Sequence, residues 1–392
     1  MPPVTDPGRR TPPHHQHVTG GVAVIRETSV PPSPEPRPVV GSLPAYSHVA
    51  SAAIRWRASS NEAPVPPSPL AVRAAAEAAA KAHLYPSLGG EGLIRALASH
   101  HDIEPDRVAV GPGSLALLER LLLAYTGEGT EVVHAWRSYE AYPIVVAIAG
   151  ARSIGVPLDA SYRHDVDAML ESMTVRTRAV IICNPNNPTG TVLEPSELER
   201  LVRSIPANVL VVIDEAYREF DENAPDTLNL LSLPNVALLR TFSKAYGLAG
   251  LRAGYLLASP RICLAIRKVG LPFALNRIAE AAGTAALADR DHLQSVVRTV
   301  WERREHLAAK LSTLADVPRS HANFLWLQIG DQATVVADTC ARAGLSIRPF
   351  AGEGVRVTVG DPNVDEILLD SLSLSRASTG PQGLNNGRSQ WA

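Results

Sequence analysis

Apolar residues along the chain fall into short β-branched runs separated by longer stretches with helical spacing. The runs "RVAV" (107–110), "EVVHA" (131–135), "RSIGVPL" (152–158), "RAVIIC" (178–183), "VLVVID" (209–214), "VALLRT" (236–241) and "RAGYLLA" (252–258) predict strands. Between them "SLALLERLLLAY" (114–125), "EAYPIVVAIAGA" (140–151) and "PSELERLVRSI" (195–205) predict helices. A strand with no polar alternation is buried on both faces. Strands of that kind alternating with helices predict an α/β fold: a mostly parallel sheet in a three-layer α/β/α domain, over 85–265. Beyond 265 the pattern changes to a long helical stretch (291–315) and the alternating strands "NFLWLQI" and "GVRVTVG". This predicts a smaller α+β domain over 266–372, joined by the segment 43–84. Residues 1–42 are rich in Pro and predict a disordered arm, and 373–392 a disordered tail.

Composition removes several function classes. A formal net charge of −2 leaves no electrostatic footprint for nucleic acid. The longest apolar runs, such as "NVLVVI" (208–213), are far short of a membrane span, and the first forty residues hold no signal-peptide core. Cys183, Cys263 and Cys340 are widely spaced, which predicts reduced thiols and a cytoplasmic location. His14, His15 and His17 could ligate a metal, but their Pro-rich surroundings read as a solvated arm, so no metal is expected.

Four candidate groups stand at predicted strand ends, where ligands of open α/β sheets gather. Gly111-Pro112-Gly113-Ser114 leads from strand to helix and could cradle a phosphate on first-turn N–H groups; a plain βα turn would look the same. "CNPNNPTG" (183–190) holds Asn186 and Asn187 in a loop bent by two prolines, which also suits a structural turn. Asp214 ends an apolar run, where an unpaired carboxylate is costly, and Tyr217 follows three residues on; the Asp could instead cap a helix. In "TFSKAYGLAGLR" (241–252), Ser243, Lys244 and Arg252 gather around a turn. Only four of 37 basic residues are Lys. A lysine here suits an amine that must deprotonate and form a covalent bond, which an arginine cannot do, although a surface lysine is the plain alternative.

Pyridoxal phosphate satisfies all four groups together. Its aldehyde suits Lys244 and its protonated ring nitrogen suits Asp214. Its ring oxygen suits Asn187 and Tyr217, and its phosphate suits Gly113, Ser114, Ser243 and Arg252.

The segments "NPNNPTG", "DEAY" and "TFSKAYGLAGLR" resemble fold-type-I aminotransferases of the histidinol-phosphate aminotransferase branch, and most of all its actinobacterial aromatic-amino-acid members. The resemblance runs from about 59 to 360. It implies that Tyr139, in "AWRSYEAYP", lies against the cofactor ring and that Leu115 follows the phosphate-loop serine beside the cofactor. It implies that Tyr85, in "LYPSLGG", reaches the cofactor phosphate of a partner subunit, hence a homodimer. Arg356 would hold the substrate carboxylate, and Asn61 belongs to the amino-terminal substrate segment. Leu115 and Ala116 stand where many members carry acidic residues, and Val65 where an aromatic residue is frequent. These departures weigh against the histidinol-phosphate assignment, and "AWRSYEAYP" favours the aromatic subgroup. The function expected is amino transfer from Phe, Tyr or Trp to 2-oxoglutarate, with histidinol-phosphate aminotransferase as the alternative and a related decarboxylase after it.

Overall fold

The computed structural model describes residues 34–43 and 54–379, so His14, His15 and His17 lie outside the described residues. In chain order its elements are α1 (Pro38–Ser42), β1 (Trp56–Arg57), α2 (Pro69–Ala79), α3 (Glu91–His101), β2 (Val108–Gly111), α4 (Ser114–Tyr125), β3 (Glu131–Trp136), α5 (Ala141–Ile148) and β4 (Arg152–Pro157). Next come α6 (Val166–Glu171), β5 (Thr177–Cys183), α7 (Pro195–Ser204), β6 (Leu210–Asp214), β7 (Val236–Thr241), β8 (Gly254–Ala258), α8 (Pro260–Val269) and α9 (Arg277–Ala288). The chain continues through α10 (Arg290–Leu311), β9 (Phe324–Gln328), α11 (Gln332–Arg342), β10 (Leu345–Ser346), β11 (Arg348–Phe350), β12 (Gly354–Thr358) and α12 (Pro362–Thr379).

Seven strands form the larger sheet in the order β2-β8-β7-β6-β5-β3-β4. All neighbours are parallel except those of β8, which runs against both β2 and β7. Successive strand residues point to opposite faces, and both faces are apolar. Val211 and Ile213 enter one core with Val133, Ile182 and Leu238, covered by α3, α7 and α9 through Leu93, Leu201 and Ala282. Val212 enters the other with Val132, Ile181 and Leu239, covered by α4, α5 and α8 through Leu121, Tyr142 and Ile266. Helix α4 buries Leu117, Leu118, Leu121 and Leu122 completely, each stabilising the domain by about 2 kcal/mol relative to exposure.

This topology brings the carboxyl ends of β2, β5, β6 and β7 to one edge. The chain leaves β7 at that edge, turns through 242–253, and re-enters as β8. The turn carrying Ser243, Lys244 and Arg252 therefore stays beside Gly113, Cys183 and Asp214.

A smaller antiparallel sheet has the order β11-β12-β9, and β1 pairs in parallel with β10. Its core joins Leu325, Leu327, Val355, Val357 and Leu368. The expected boundaries shift in three places. Residues 38–42, expected to be disordered, form a helical turn: Pro38 has the fixed φ that suits a first helical position, and Arg37 donates to the carbonyl of Ile148 at 3.2 Å. Helix α9, expected in the smaller domain, buries Ala279, Ala282 and Ala286 in the larger core, and Ala71 of α2 joins it there. Helix α12 runs to Thr379, through the first residues of the expected tail, because Leu368 and Leu372 anchor its apolar side.

Candidate active site

A cavity of about 310 Å³ opens between the strand edge and the smaller sheet. Lys244 enters it from the turn after β7, and Asp214 from the end of β6. Lys244 donates to the carbonyls of Ser60 at 3.0 Å and Asn61 at 3.1 Å, and among the described residues no acid pairs with it. Burial, helped by the Arg356 and Arg252 charges, pushes its amine down to about 7. A substantial fraction is then unprotonated near neutrality, which is what nucleophilic attack on an aldehyde requires.

Asp214 is 6% exposed and has no ion-pair partner among the described residues. Burial pushes its carboxyl up to about 6, opposed by hydrogen bonds from the Tyr142 hydroxyl (2.8 Å) and the Ala216 N–H (3.2 Å). A buried carboxylate and a buried amine, each without a counter-ion, leave room for one ligand that answers both.

Arg252, Ser243, Gly113 and Ser114 meet at the N-terminus of α4. Arg252 reaches the Ser243 hydroxyl at 3.4 Å and is held by the Ala249 carbonyl at 2.8 Å. Gly113 has φ of +98°, and a Cβ there would stand 2.8 Å from the Arg252 guanidinium. Glycine thus allows both the turn and the approach of the cation. Positive charge, two hydroxyls and free helix N–H groups form an anion cradle.

Arg356 descends from β12. Val355 and Val357 face the smaller core, so the strand alternation turns the guanidinium into the cavity. It donates to Asn187 Oδ1 at 2.6 Å and to the Ser59 carbonyl, while its Nε is buried with no partner. Asn61 is held at φ of 56°, a left-handed conformation that asparagine tolerates. Its N–H donates to Thr358 Oγ1 at 2.9 Å and its amide to the Tyr217 hydroxyl at 3.0 Å. Burial raises the Tyr217 hydroxyl's pKa, so it remains a protonated donor.

Ser114, Leu115, Tyr139, Asn187, Asp214, Tyr217, Ser243, Lys244, Arg252, Asn61 and Arg356 all line this one cavity. Gly113 adjoins it through Arg252. Tyr85 does not; it is 78% exposed and stacked on Phe273, ring centroids 4.8 Å apart. Among the lining or supporting residues not expected from the sequence are Tyr142, Glu140 and Arg348. Tyr142 stands one helical turn past Tyr139, a spacing that could have pointed to it. Glu140 and Arg348 meet across the cavity wall at 2.8 Å, and only the fold brings them together.

The chemistry of the donor set fits pyridoxal phosphate. An anion cradle, an amine of depressed pKa and an unpaired carboxylate stand around one space, with Asn187 and Tyr217 as polar groups between them. Among the described residues no cluster of His, Cys, Asp or Glu could hold a metal ion, and no helix is long and apolar enough to cross a membrane.

Comparison with known proteins agrees with this arrangement. The family described as "Aminotransferase class I and II" matches residues 57–372. An aromatic amino acid aminotransferase of Streptomyces coelicolor is 44% identical over 345 residues, covering 86% of this chain and 96% of that protein. One from Thermobifida fusca is 47% identical, covering 79% of this chain and 88% of its own. Among solved structures, histidinol-phosphate aminotransferase from Sinorhizobium meliloti, in complex with pyridoxal 5'-phosphate, superposes with a TM-score of 0.81 at 29% identity. It covers 88% of this chain and 98% of that one. With a lysine, a carboxylate and an anion cradle converging on one cavity, and the family match spanning most of its length, the chain belongs to the class I and II aminotransferases and is a transaminase.

Proposed function

We propose that the protein transfers the amino group of Phe, Tyr or Trp to 2-oxoglutarate, yielding an aromatic 2-oxo acid and L-glutamate. The observation that carries this is Lys244, an amine held near neutral pKa in the same cavity as the unpaired Asp214 and Arg356. Bound pyridoxal phosphate supplies an electron sink for the charge left when a proton leaves the substrate's Cα. Lys244 would hold the aldehyde carbon and, when free, would serve as the base and acid that carries the substrate's Cα proton. Asp214 would keep the proton on the ring nitrogen. Gly113, Ser114, Ser243 and Arg252 would hold the phosphate, with Leu115 nearby, while Asn187 and Tyr217 would serve the ring oxygen. Tyr139 would hold the ring. Arg356 would hold the α-carboxylate, with Asn61 in the same substrate segment.

Support for an aromatic side chain comes from the lining of the cavity. Tyr139 and Leu115 contribute apolar surface to the same cavity as Arg356, and Arg348, which also lines it, is engaged by Glu140 rather than free for a phosphate. The two aromatic amino acid aminotransferases compared above stand at 44% and 47% identity, whereas the histidinol-phosphate enzyme stands at 29%. The test is turnover of the purified, cofactor-loaded protein with 2-oxoglutarate and each amino donor. Phenylalanine, tyrosine or tryptophan should outrun histidinol phosphate; the reverse order would make the protein a histidinol-phosphate aminotransferase.

The working unit in this reading is a cytoplasmic homodimer. Tyr85, Leu88 and Leu271 are 78%, 61% and 77% exposed and neighbour Phe273, an apolar surface that a second copy would cover. Tyr85 would there complete the partner's phosphate site. The three cysteines are free and buried, in keeping with a reducing compartment. Sedimentation of the protein and of Leu271→Glu checks the assembly: a wild-type monomer with full activity would sink it.

A further inference from the structure

We propose that Tyr142 is a positioning residue that sets the cofactor pocket through two of the neighbours it touches, Asp214 and Tyr139. The inference rests on the aminotransferase reading above and deepens it. Tyr142 is fully buried, and its hydroxyl donates to Asp214 Oδ2 at 2.8 Å. The other carboxylate oxygen takes the Ala216 N–H at 3.2 Å, so the two bonds together fix the plane of the carboxylate. The same ring meets Tyr139 edge-on, centroids 5.6 Å apart and planes 83° apart. One side chain therefore braces the carboxylate expected at the ring nitrogen and the aromatic expected on the ring face.

Tyr142 is itself held in place. His134 packs against it edge-on at 5.9 Å, and the two His134 nitrogens lie 2.8 Å from the Ala135 carbonyl and 2.7 Å from the Ser153 hydroxyl. A continuous chain, Ser153 to His134 to Tyr142 to Asp214, thus links β4 to the end of β6. Burial keeps the Tyr142 hydroxyl protonated, hence always a donor, and the bond it gives opposes the burial that would otherwise neutralise Asp214.

The test is a double-mutant cycle of Tyr142→Phe and Asp214→Asn, read as the dissociation constant of pyridoxal phosphate from the apoprotein and as the visible absorbance of the loaded form. Tyr142→Phe keeps the ring and removes only the donor. In the wild-type background it should weaken cofactor binding about tenfold and shift the absorbance maximum; with Asn at 214 the same change should cost less than about twofold. Tyr142→Leu, which also frees Tyr139, should cost more than Tyr142→Phe in both backgrounds. Equal losses for Tyr142→Phe in both backgrounds, or none in the wild type, would overturn the proposal. Borohydride trapping at Lys244 in every variant that retains the lysine separates the two readings. If the wild type traps no cofactor, the aminotransferase site itself is wrong; if it traps cofactor and the cycle is additive, only the role of Tyr142 is wrong.

Discussion

Arg356, on the smaller sheet, donates a 2.6 Å hydrogen bond to the side-chain oxygen of Asn187, in the loop after β5 of the larger sheet. The two cores therefore meet at the cavity, and the guanidinium proposed to hold the substrate carboxylate is already oriented there. Arg356→Lys keeps the charge but loses the fork that serves Asn187, Ser59 and a carboxylate together. We expect kcat/KM for phenylalanine to fall about 100-fold, mainly through KM, with cofactor affinity unchanged. Steady-state kinetics beside a cofactor titration checks this, and a matching loss of cofactor would reassign Arg356.

The two unpaired charges should mark the stability of the apoprotein in opposite pH directions. Asp214 is raised to about 6 in the fold, so its penalty is complete above that pH and vanishes as pH falls below the unfolded carboxylate range. Asp214→Asn should then favour the apoprotein more at pH 8 than at pH 4, less the hydrogen bond lost where its amide replaces a carboxylate oxygen. Lys244 is lowered to about 7, so its penalty is complete below that and fades toward the ordinary lysine range. Lys244→Met should raise Tm most at pH 6 and progressively less up to pH 10. Thermal melts across pH read both trends, and flat differences would mean that neither group is desolvated as described.

Gly254 supports the anion cradle from below. A Cβ there would stand 2.4 Å from the Ser114 nitrogen and 2.6 Å from the Gly113 carbonyl carbon, both backbone atoms that cannot swing aside. Gly254→Ala should displace the cradle, lowering both apoprotein Tm and pyridoxal phosphate affinity, the latter at least roughly tenfold. Unchanged affinity would place the phosphate elsewhere.

Glu140 restrains Arg348 at the cavity wall, through bonds of 2.8 and 3.1 Å to one carboxylate oxygen. Glu140→Gln removes the counter-charge and leaves Arg348 free to meet an anion. The ratio of kcat/KM for histidinol phosphate over phenylalanine should rise by roughly tenfold. A donor panel reads this directly; an unaltered ratio would show that the ion pair has no part in selectivity.

Much of this protein was written locally. Seven apolar runs announced seven strands, and the absence of polar alternation within them required helices on both faces. "SLALLERLLLAY" became helix α4 without a residue's shift, since a Gly-Ser start and four inward leucines leave little freedom. The lysine and its phosphate-loop companions were legible because they fall at strand ends, which a parallel sheet must collect on one edge. Other features depend on contacts far apart in sequence. That α9 packs into the larger core was set by Ala282 finding Leu93, some 190 residues away, and no local pattern carries that choice. Arg348 meeting Glu140 and the Tyr142 hydroxyl reaching Asp214 were likewise decided only when the chain closed. Chain periodicity specifies which face of each element is apolar; which faces meet, and so which polar groups are left to confront one another, is settled by tertiary packing alone.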